Sequence, residues 1–462
     1  MFNSKIRQAT ILILLLITML LSPGTASARR IPFEAVAAAR GPLPTIYATE
    51  TITTTLYLPL IMRNHVTPLY PNDPAYEGDD QWGLNKIEGP KAWGITTGSS
   101  LVTIAVIDTG VDLDHPDLQD KIVPGWDFVN NDATPDDDHS HGTHVAGIAA
   151  ATTNNGLGVA GVAWNTRIMP VKVLDSSGNG SMDDVIAGMT YAADHGAQVL
   201  NLSLGSVNNS SALQDAVNYA RDRSAVVVAA AGNCGSGCII GSQYYYNPYM
   251  YPASCQNVIG VAATTSTDGW PPFSEHNTYV DLSAPGVGIY STIPNGYGYK
   301  DGTSMATPFV SGLAALVLSR WPDYTPSQVE TALFNNADDL GSSGRDDYFG
   351  YGRINAFQTL LNGAEMGSSA LEAQAARPPS NINAPFAPGE LLVKFKSVNA
   401  ITSTEVTSVL ERYDLHVAKV IPGLRITLLT VPAGREQEII AALQQEPFVE
   451  YAEPNYLVWA LE

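Results

Sequence analysis

Residues 101–110 read LVTIAVIDTG, a continuous apolar run that ends in an aspartate, a threonine and a glycine. Further runs rich in Val and Ile follow at 167–173, 198–203, 225–231 and 258–263. Helix-length segments occupy 141–152, 181–195, 210–223 and 304–321. Apolar strands that alternate with helices predict an α/β fold, with a parallel sheet covered by helices on both faces. Active sites in such sheets lie at the carboxyl ends of strands and at the helix starts that follow them.

Three motifs fall at these positions. Asp108-Thr109-Gly110 ends the first strand, His141-Gly142-Thr143-His144 opens the next helix, and Gly302-Thr303-Ser304 opens a long apolar helix. A histidine that takes the serine proton and an aspartate that orients the imidazole form a nucleophilic triad. Each motif alone is usually a turn or a helix cap. Together, in one of the chain orders known for this chemistry, they predict catalysis by Asp108, His141 and Ser304.

A fourth motif, Ala230-Ala231-Gly232-Asn233, ends another strand and adds a side-chain amide. The backbone N–H groups at the helix start below Ser304 are natural donors to a developing oxyanion. The Asn233 amide is the candidate second donor.

These motifs resemble those of the subtilisin-like serine proteases (subtilases), in particular the calcium-rich thermitase-like branch. The resemblance covers about residues 70–360 and implies a subtilisin-like sheet flanked by helices and a serine endopeptidase activity. It also implies site roles for Asp108, His141, Ser304 and Asn233. Two other readings stay open: a protease-shaped binding or inhibitor protein silenced by its own C-terminal unit, and an esterase that uses the same triad.

The family resemblance also implies a substrate cleft. Matching segments in subtilases pair with an extended polypeptide substrate as neighbouring strands, which is backbone capture by β-addition. In this sequence those segments are Gly178-Asn179-Gly180 and Ser203-Leu204-Gly205. We expect broad specificity, with apolar or aromatic side chains at the first pocket.

An acidic stretch at 127–138 precedes His141. Hard oxygen ligands at short spacing suit Ca²⁺, although the spacing alone fits a solvated acidic loop equally well. The resemblance implies two calcium sites. The weaker comprises Asp127, Asn130, Asp132, Thr134 and Asp136, with Asn130 at a position that is usually acidic. The stronger comprises Asp73, Asp117, Thr152, Asn155, Leu157 and Val159.

The N-terminal segment predicts export. Lys5 and Arg7 precede an apolar run at 11–21, and Ala26-Ser27-Ala28 follows, which is typical of a signal peptide cleaved after Ala28. The run is short for a membrane anchor, which needs about 20 residues. We therefore expect a secreted, extracellular monomer that does not associate with membranes after signal cleavage.

The net charge and the cysteine content limit the possible partners and disulfide pairings. The chain has 24 Lys and Arg against 45 Asp and Glu, a net charge of −21, which disfavours nucleic acid as a partner. Its three cysteines are Cys234, Cys238 and Cys255. In an exported protein Cys234 could pair with Cys238, or either could pair with Cys255, and three free thiols also remain possible.

The predicted organisation is a signal peptide at 1–28, a leader or linker at 29–69, a catalytic domain at 70–362, a linker at 363–387 and a small domain at 388–462. The small domain reads strand, helix, strand, strand, helix, strand, an α+β ferredoxin-like order. Its amino-acid sequence at 388–395 and 449–456 resembles that of the subtilase propeptide. In the family this propeptide is an intramolecular chaperone and inhibitor, and it precedes the protease.

Three explanations of this displaced unit stay open. It could fold back and lay residues 456–462 in the cleft like a bound product. It could be one part of a tandem arrangement that served a following catalytic domain, or it could be a structural appendage. The first explanation predicts that removal of residues beyond about 365 either raises peptidase activity or abolishes folding.

Overall fold

The computed structural model describes residues 66–365, 385–397 and 403–461. The predicted signal peptide, most of the leader, most of the second linker and Glu462 lie outside these residues.

The helices and strands take the following bounds. The helices are α1 Pro74–Glu77, α2 Trp82–Lys86, α3 Gly89–Trp93, α4 His141–Ala150, α5 Met182–Asp194, α6 Ser211–Asp222, α7 Thr303–Arg320, α8 Pro326–Phe334, α9 Ala356–Asn362, α10 Thr404–Tyr413 and α11 Glu436–Leu443. The strands are β1 Thr103–Asp108, β2 Trp126–Asp127, β3 Arg167–Lys172, β4 Asn179–Ser181, β5 Val199–Leu202, β6 Leu204–Gly205, β7 Val226–Ala230, β8 Cys238–Ile240, β9 Gln243–Tyr245, β10 Ile259–Thr264, β11 Leu282–Pro285, β12 Ile289–Ile293, β13 Gly296–Lys300, β14 Phe386–Phe395, β15 His416–Ile421, β16 Ile426–Thr430 and β17 Val449–Ala460.

Within the described residues, a parallel sheet has the strand order β11-β10-β7-β5-β1-β3-β2. Alternate residues of β1 reach opposite faces, as the period of a strand requires. Ile104 and Val106 belong to the core under α4 and α7, while Ala105 and Ile107 belong to the core under α5 and α6. The predicted α/β fold with a two-sided parallel sheet is confirmed.

The C-terminal domain is an antiparallel sheet in the order β15-β16-β14-β17, with α10 and α11 on one face. The predicted α+β ferredoxin-like element order is confirmed. The last strand differs from the prediction of 448–453, because β17 continues to Ala460. Its second half finds new partners in β4 and β6 of the catalytic domain, so the strand does not end where its own sheet ends.

Both faces of the C-terminal sheet are covered. Leu391 and Val393 of β14 pack against α10 and α11, whereas Leu392 between them joins the core under α5 and α6 of the catalytic domain. The sheet therefore shares one apolar core with the catalytic domain and has a second core of its own.

Cys234 and Cys238 form a disulfide, and Cys255 is buried outside it. This is one of the pairings that the sequence left open. No helix in the described ranges is long and apolar enough to cross a bilayer.

Candidate active site

Three element ends bring the predicted triad together. Asp108 is the last residue of β1, His141 is the first of α4, and Ser304 is the second of α7. All three side chains are buried. Asp108 Oδ1 lies 2.7 Å from His141 Nδ1 and also accepts the backbone N–H of Thr109 at 2.8 Å. This contact holds the imidazole ring in place, as the aspartate of a nucleophilic triad does.

Ser304 is tied to the wall of the cleft. Its Oγ donates to the carbonyl oxygen of Ser203 at 2.9 Å, and Ser203 Oγ donates back to the Ser304 carbonyl at 2.9 Å. A hydroxyl carries one proton, so here it is directed to Ser203 and not to His141. Transfer of that proton to the imidazole requires the hydroxyl to turn away from the Ser203 carbonyl.

Asp137 connects the aspartate and histidine motifs, a role that sequence reasoning missed. Its carboxylate accepts from Thr109 Oγ1 at 2.9 Å, from Thr143 Oγ1 at 2.5 Å and from the backbone N–H of Thr143, His139 and Ser140. The sequence shows Asp137 only as one of several carboxylates in an acidic stretch. Spacing does not reveal that this one is buried.

The Asn233 amide is oriented toward the cleft. Its Oδ1 accepts from Thr303 N at 3.0 Å and from Thr303 Oγ1 at 2.8 Å. Its Nδ2 is buried and has no hydrogen-bond partner among the described residues. A β-carbon built on Gly302 would lie 3.0 Å from this Nδ2 and from the carbonyl oxygen of Leu461, and 3.6 Å from Ser304 N. Both predicted oxyanion donors and the Leu461 carbonyl oxygen therefore surround the same point above Gly302.

His144 has a different environment from His141. Burial lowers the pKa of His144 to about 3, so its imidazole is neutral at physiological pH. Its Nε2 donates toward the carbonyls of Ile289 at 3.0 Å and Gly298 at 3.1 Å. These contacts connect α4 to the β12–β13 hairpin, which is a structural role.

The two predicted cleft segments face each other across β17. On one side Trp459 pairs with Asn179 and Val458 with Gly180, and Ala460 N donates to the Gly178 carbonyl at 2.8 Å. On the other side Trp459 pairs with Gly205 and Ala460 with Leu204, and Leu461 N donates to the Ser203 carbonyl at 3.4 Å. All six predicted cleft residues thus contact or flank the chain's own tail.

Leu461 fills an apolar pocket beside the oxyanion donors. It packs with Val207, Ala230, Tyr245 and Met250 and is almost fully buried. Gly205 makes room for it, because a β-carbon there would lie 3.1 Å from Leu461 Cδ1 and 2.7 Å from Met250 Cε. The pocket accepts one medium-sized apolar side chain.

Two residues of β17 cap helices of the catalytic domain. The Glu453 carboxylate accepts from Ser210 Oγ at 2.6 Å and from the N–H groups of Ser211 and Ala212 at the start of α6. Asn455 Oδ1 accepts from the Asp183 N–H at the start of α5. Unsatisfied helix N–H groups therefore receive their acceptors from the C-terminal domain.

Comparison with known proteins agrees with this geometry. Residues 99–352, more than half of the chain, match the family described as "Subtilase family". The chain belongs to the subtilase family. This subtilase is a serine endopeptidase.

The subtilase is 47% identical to thermitase of Thermoactinomyces vulgaris over 291 residues, 63% of this chain and 99% of that relative. It is 41% identical to subtilisin Savinase of Lederbergia lenta, over 60% of this chain and 96% of the relative. A solved structure described as proteases from Pseudoalteromonas arctica superposes with a TM-score of 0.57 at 33% identity, covering 63% of this chain and 99% of the other.

Residues 372–455 match a second family, described as "Fervidolysin N-terminal prodomain". The predicted resemblance of the C-terminal domain to a subtilase propeptide is confirmed. In this subtilase the prodomain-like unit follows the catalytic domain in the chain.

The residues predicted for the stronger calcium site are brought together. Asp73 and Asp117 are fully buried and close enough to influence each other electrostatically. Burial raises the pKa of Asp73, and the nearby Asp117 charge adds to this rise. The Asp117 carboxylate accepts from Asn155 Nδ2 at 2.9 Å, from the Val159 N–H and from the Tyr297 hydroxyl, and the Asp73 carboxylate accepts the Asn154 and Asn155 N–H groups. The Thr152 N–H donates to the Asp117 main-chain carbonyl. No Lys or Arg among the described residues pairs with either of these buried carboxylates, so their two negative charges would suit a divalent cation.

The weaker site fits less well, because Asp132, Thr134 and Asp136 are exposed to solvent. Both Asp127 oxygens already accept hydrogen bonds from Asn130, and Asp132 accepts the Thr134 N–H at 2.7 Å. The Asp136 carboxylate accepts the Leu113 N–H. No group of three or more His, Cys, Asp or Glu side chains in the described part of the chain has metal-binding geometry. The stronger site contains only two carboxylates, and its other predicted ligands are an amide and carbonyls.

Proposed function

We propose that this subtilase is a secreted, calcium-stabilised endopeptidase that its own C-terminal domain holds latent. The observation that carries the proposal is the position of β17. It pairs as a middle strand between β4 and β6 and delivers Leu461 to the pocket beside Asn233. A polypeptide substrate needs the same strand partners and the same pocket, so tail and substrate compete.

The proposed chemistry follows from the residue positions. Ser304 Oγ attacks the carbonyl carbon of the residue in the Leu461 pocket, and His141 takes the hydroxyl proton. The N–H of Ser304 and Asn233 Nδ2 stabilise the negative oxygen of the tetrahedral intermediate. His141 then gives its proton to the leaving amine, and water releases the acyl group from Ser304 by the same route. Asp108 stabilises the imidazolium throughout.

Latency is favoured over a tandem origin or a structural appendage because the contacts are specific to this catalytic domain. Lys419 lies 2.9 Å from Asp183 and 2.5 Å from Asp184 at the start of α5. Lys394 lies 2.8 Å from Asp215 of α6, which also accepts from Tyr451. Because the inhibitor is on the same chain, its effective concentration is on the order of millimolar without any further contact.

Secretion and calcium binding have separate support. The predicted signal peptide at 1–28 and the Cys234–Cys238 disulfide both suit an oxidising compartment outside the cytoplasm. The buried pair Asp73 and Asp117 would hold the calcium with Asn155 and the carbonyls of Thr152, Leu157 and Val159. The ion would neutralise the pair and tie the segment before α1 to the loop after α4.

The test compares three proteins on a chromogenic peptide that ends in Leu, with calcium present: the full chain, its Ser304→Ala variant and a chain ending near Gly363. We expect the shortened chain to be the fastest and Ser304→Ala to be inactive. Equal rates for the full and shortened chains would overturn latency. Circular dichroism establishes whether the shortened chain is folded.

If the shortened chain does not fold, a full-length Leu461→Asp variant replaces it. A carboxylate in the apolar pocket expels the tail while the C-terminal domain stays attached. We expect this variant to hydrolyse the peptide faster than the full chain. A silent Leu461→Asp variant with a native circular dichroism spectrum would instead favour a protease-shaped binding protein.

A further inference from the structure

A short hairpin borders the cleft next to the Leu461 pocket. Strands β8 and β9 pair antiparallel, with Cys238 opposite Tyr245 and Ile240 opposite Gln243. The disulfide joins Cys238 to Cys234, the residue directly after the proposed oxyanion donor Asn233. The hairpin is thus covalently tied to the catalytic end of the sheet.

The two faces of the hairpin differ. Cys238, Ile240 and Tyr245 contact the apolar cluster that contains Leu461. Ile239 and Tyr244 pair on the opposite face and are 73% and 62% exposed. One face of the hairpin is therefore directed to the bound tail, and the other is directed to solvent.

A groove of about 470 Å³ separates the hairpin tip from the cleft edge. Its lining includes Gly178 and Asn179 of the cleft edge and Ile239, Ile240 and Gly241 of the hairpin. Trp459 also lines the groove and is half-buried. Its side chain packs against the same apolar cluster that Cys238 and Ile240 contact.

We propose that this hairpin is the wall of a third substrate subsite, which selects a large apolar or aromatic side chain two residues before the cleaved bond's acyl residue. The proposal rests on the proposed function, because it takes the register of substrate from that of the tail. Leu461 marks the acyl residue, and Trp459 marks the selected position. Ile240 is the specificity-determining residue.

Backbone pairing alone cannot supply this selectivity. The hydrogen bonds to β4 and β6 are the same for any residue at position 459. Side chains two apart on a strand point to the same side, so the residues at 459 and 461 share one face. On that face Trp459 meets the hairpin. An apolar contact of this size gives a preference of about tenfold over alanine.

The experiment uses two chromogenic peptides, Val-Trp-Ala-Leu and Val-Ala-Ala-Leu, on full-length protein carrying Leu461→Asp to open the cleft. The measured quantity is the ratio of their kcat/KM values. Both peptides compete with the same residual tail, so the ratio does not depend on the fraction of open molecules. We expect kcat/KM to be about tenfold higher for the Trp peptide than for the Ala peptide. After Ile240→Ala the two values should differ by no more than about twofold. A ratio near one in the unmodified hairpin would overturn the subsite.

Two further variants test whether the preference depends on the inner face of the hairpin and on its disulfide tether. Tyr244→Ala changes the exposed face of the same hairpin and should keep the preference. The double variant Cys234→Ser and Cys238→Ser releases the hairpin and should reduce the preference as Ile240→Ala does. Retained preference in the disulfide variant would overturn the role of the tether.

A second measurement requires no turnover. In the full-length Ser304→Ala chain, hydrogen exchange at the Ala460 amide reports tail release, since this amide donates to Gly178. Trp459→Ala and Ile240→Ala should each speed exchange, and both together should add little to either alone. Full additivity would overturn the contact between them. If the subsite proposal is wrong, Ser304→Ala should still abolish peptidase activity. Failure of the subsite proposal can therefore be distinguished from failure of the proposed function.

Discussion

Asn455 and Asp183, which are 272 residues apart in the chain, form a two-way contact between the domains. The Asn455 carbonyl oxygen accepts the Asp183 N–H at 3.1 Å, and its amide donates to the Asp183 carboxylate at 2.8 Å. Burial acts to raise the pKa of Asp183, but Lys419 and these hydrogen bonds outweigh it, and the net pKa is lowered. Residues of the C-terminal domain therefore provide hydrogen-bond and charge partners for the start of α5.

Glu453→Ala should raise the peptidase activity of the full chain. The substitution removes the acceptor for the Ser210 hydroxyl and for the Ser211 and Ala212 N–H groups at the start of α6 in the docked state. Ser210 still caps α6 through Leu213 N, but loss of these acceptors at the helix start costs about 1 kcal/mol, or roughly fivefold in the open fraction. The measurement is the initial rate on a short peptide. Glu438→Ala, an exposed carboxylate on α11 of the same domain, is the matched control and should change nothing.

Latency should weaken as pH rises from 5 to 8. Burial between the domains raises the pKa of Glu453 above its ordinary value. A carboxyl whose pKa is higher in the docked state holds a proton there that it releases when undocked. Docking is therefore favoured at low pH and loses this contribution as pH rises through the docked pKa of Glu453.

The measurement is the activity of the full chain divided by that of the Leu461→Asp variant at each pH, which removes the pH dependence of catalysis itself. Glu453→Gln keeps an oxygen acceptor but cannot titrate, so its ratio should change less with pH. A ratio for the unmodified chain that falls or stays flat from pH 5 to 8 would contradict the assignment.

Asn233→Ala in the Leu461→Asp background should lower kcat by about 10²–10³-fold, the range found when an oxyanion-hole donor is removed from subtilisin, a relative of this protein. KM should change little, because the donor acts on charge that develops after binding. Steady-state kinetics on one peptide provide both values. A rise in KM with unchanged kcat would mean that Asn233 contributes to ground-state binding instead.

Excess chelator should lower the melting temperature of the full-length Ser304→Ala chain by about 5–10 °C, since bound ion stabilises only the folded state. Asp117→Asn removes one of the two buried carboxylates that would hold the ion. Its melting temperature should therefore respond far less to chelator. Calorimetry with and without calcium makes the comparison, and an unchanged melt of the parent chain would count against both predicted sites.

Much of the fold and of the site can be predicted from the sequence. The apolar runs and the glycine-flanked Asp108, His141 and Ser304 predict strand ends and helix starts, and the structure has these residues there. Local rules suffice, because a buried parallel strand must be apolar throughout and a close backbone approach needs small neighbours. The ferredoxin-like element order is legible for the same reason.

Contacts between segments that are distant in the chain cannot be predicted from the sequence pattern. Pro454 and Asn455 read as the end of a strand, yet β17 continues because β4 and β6 supply hydrogen-bond partners from 250 or more residues away. Asp137 is indistinguishable from its acidic neighbours until the fold buries it. The partners of Cys234 and Lys419 likewise depend on the three-dimensional arrangement and not on local pattern.

The order of the two domains has a consequence during synthesis. Ribosomes build the chain from its amino end, so Ser304 and the rest of the catalytic domain emerge before β17 has been translated. At about 5–20 residues per second, the hundred residues after Asn362 take about 5–20 s to make. For that interval each new molecule has a complete set of protease residues and no strand to cover its cleft.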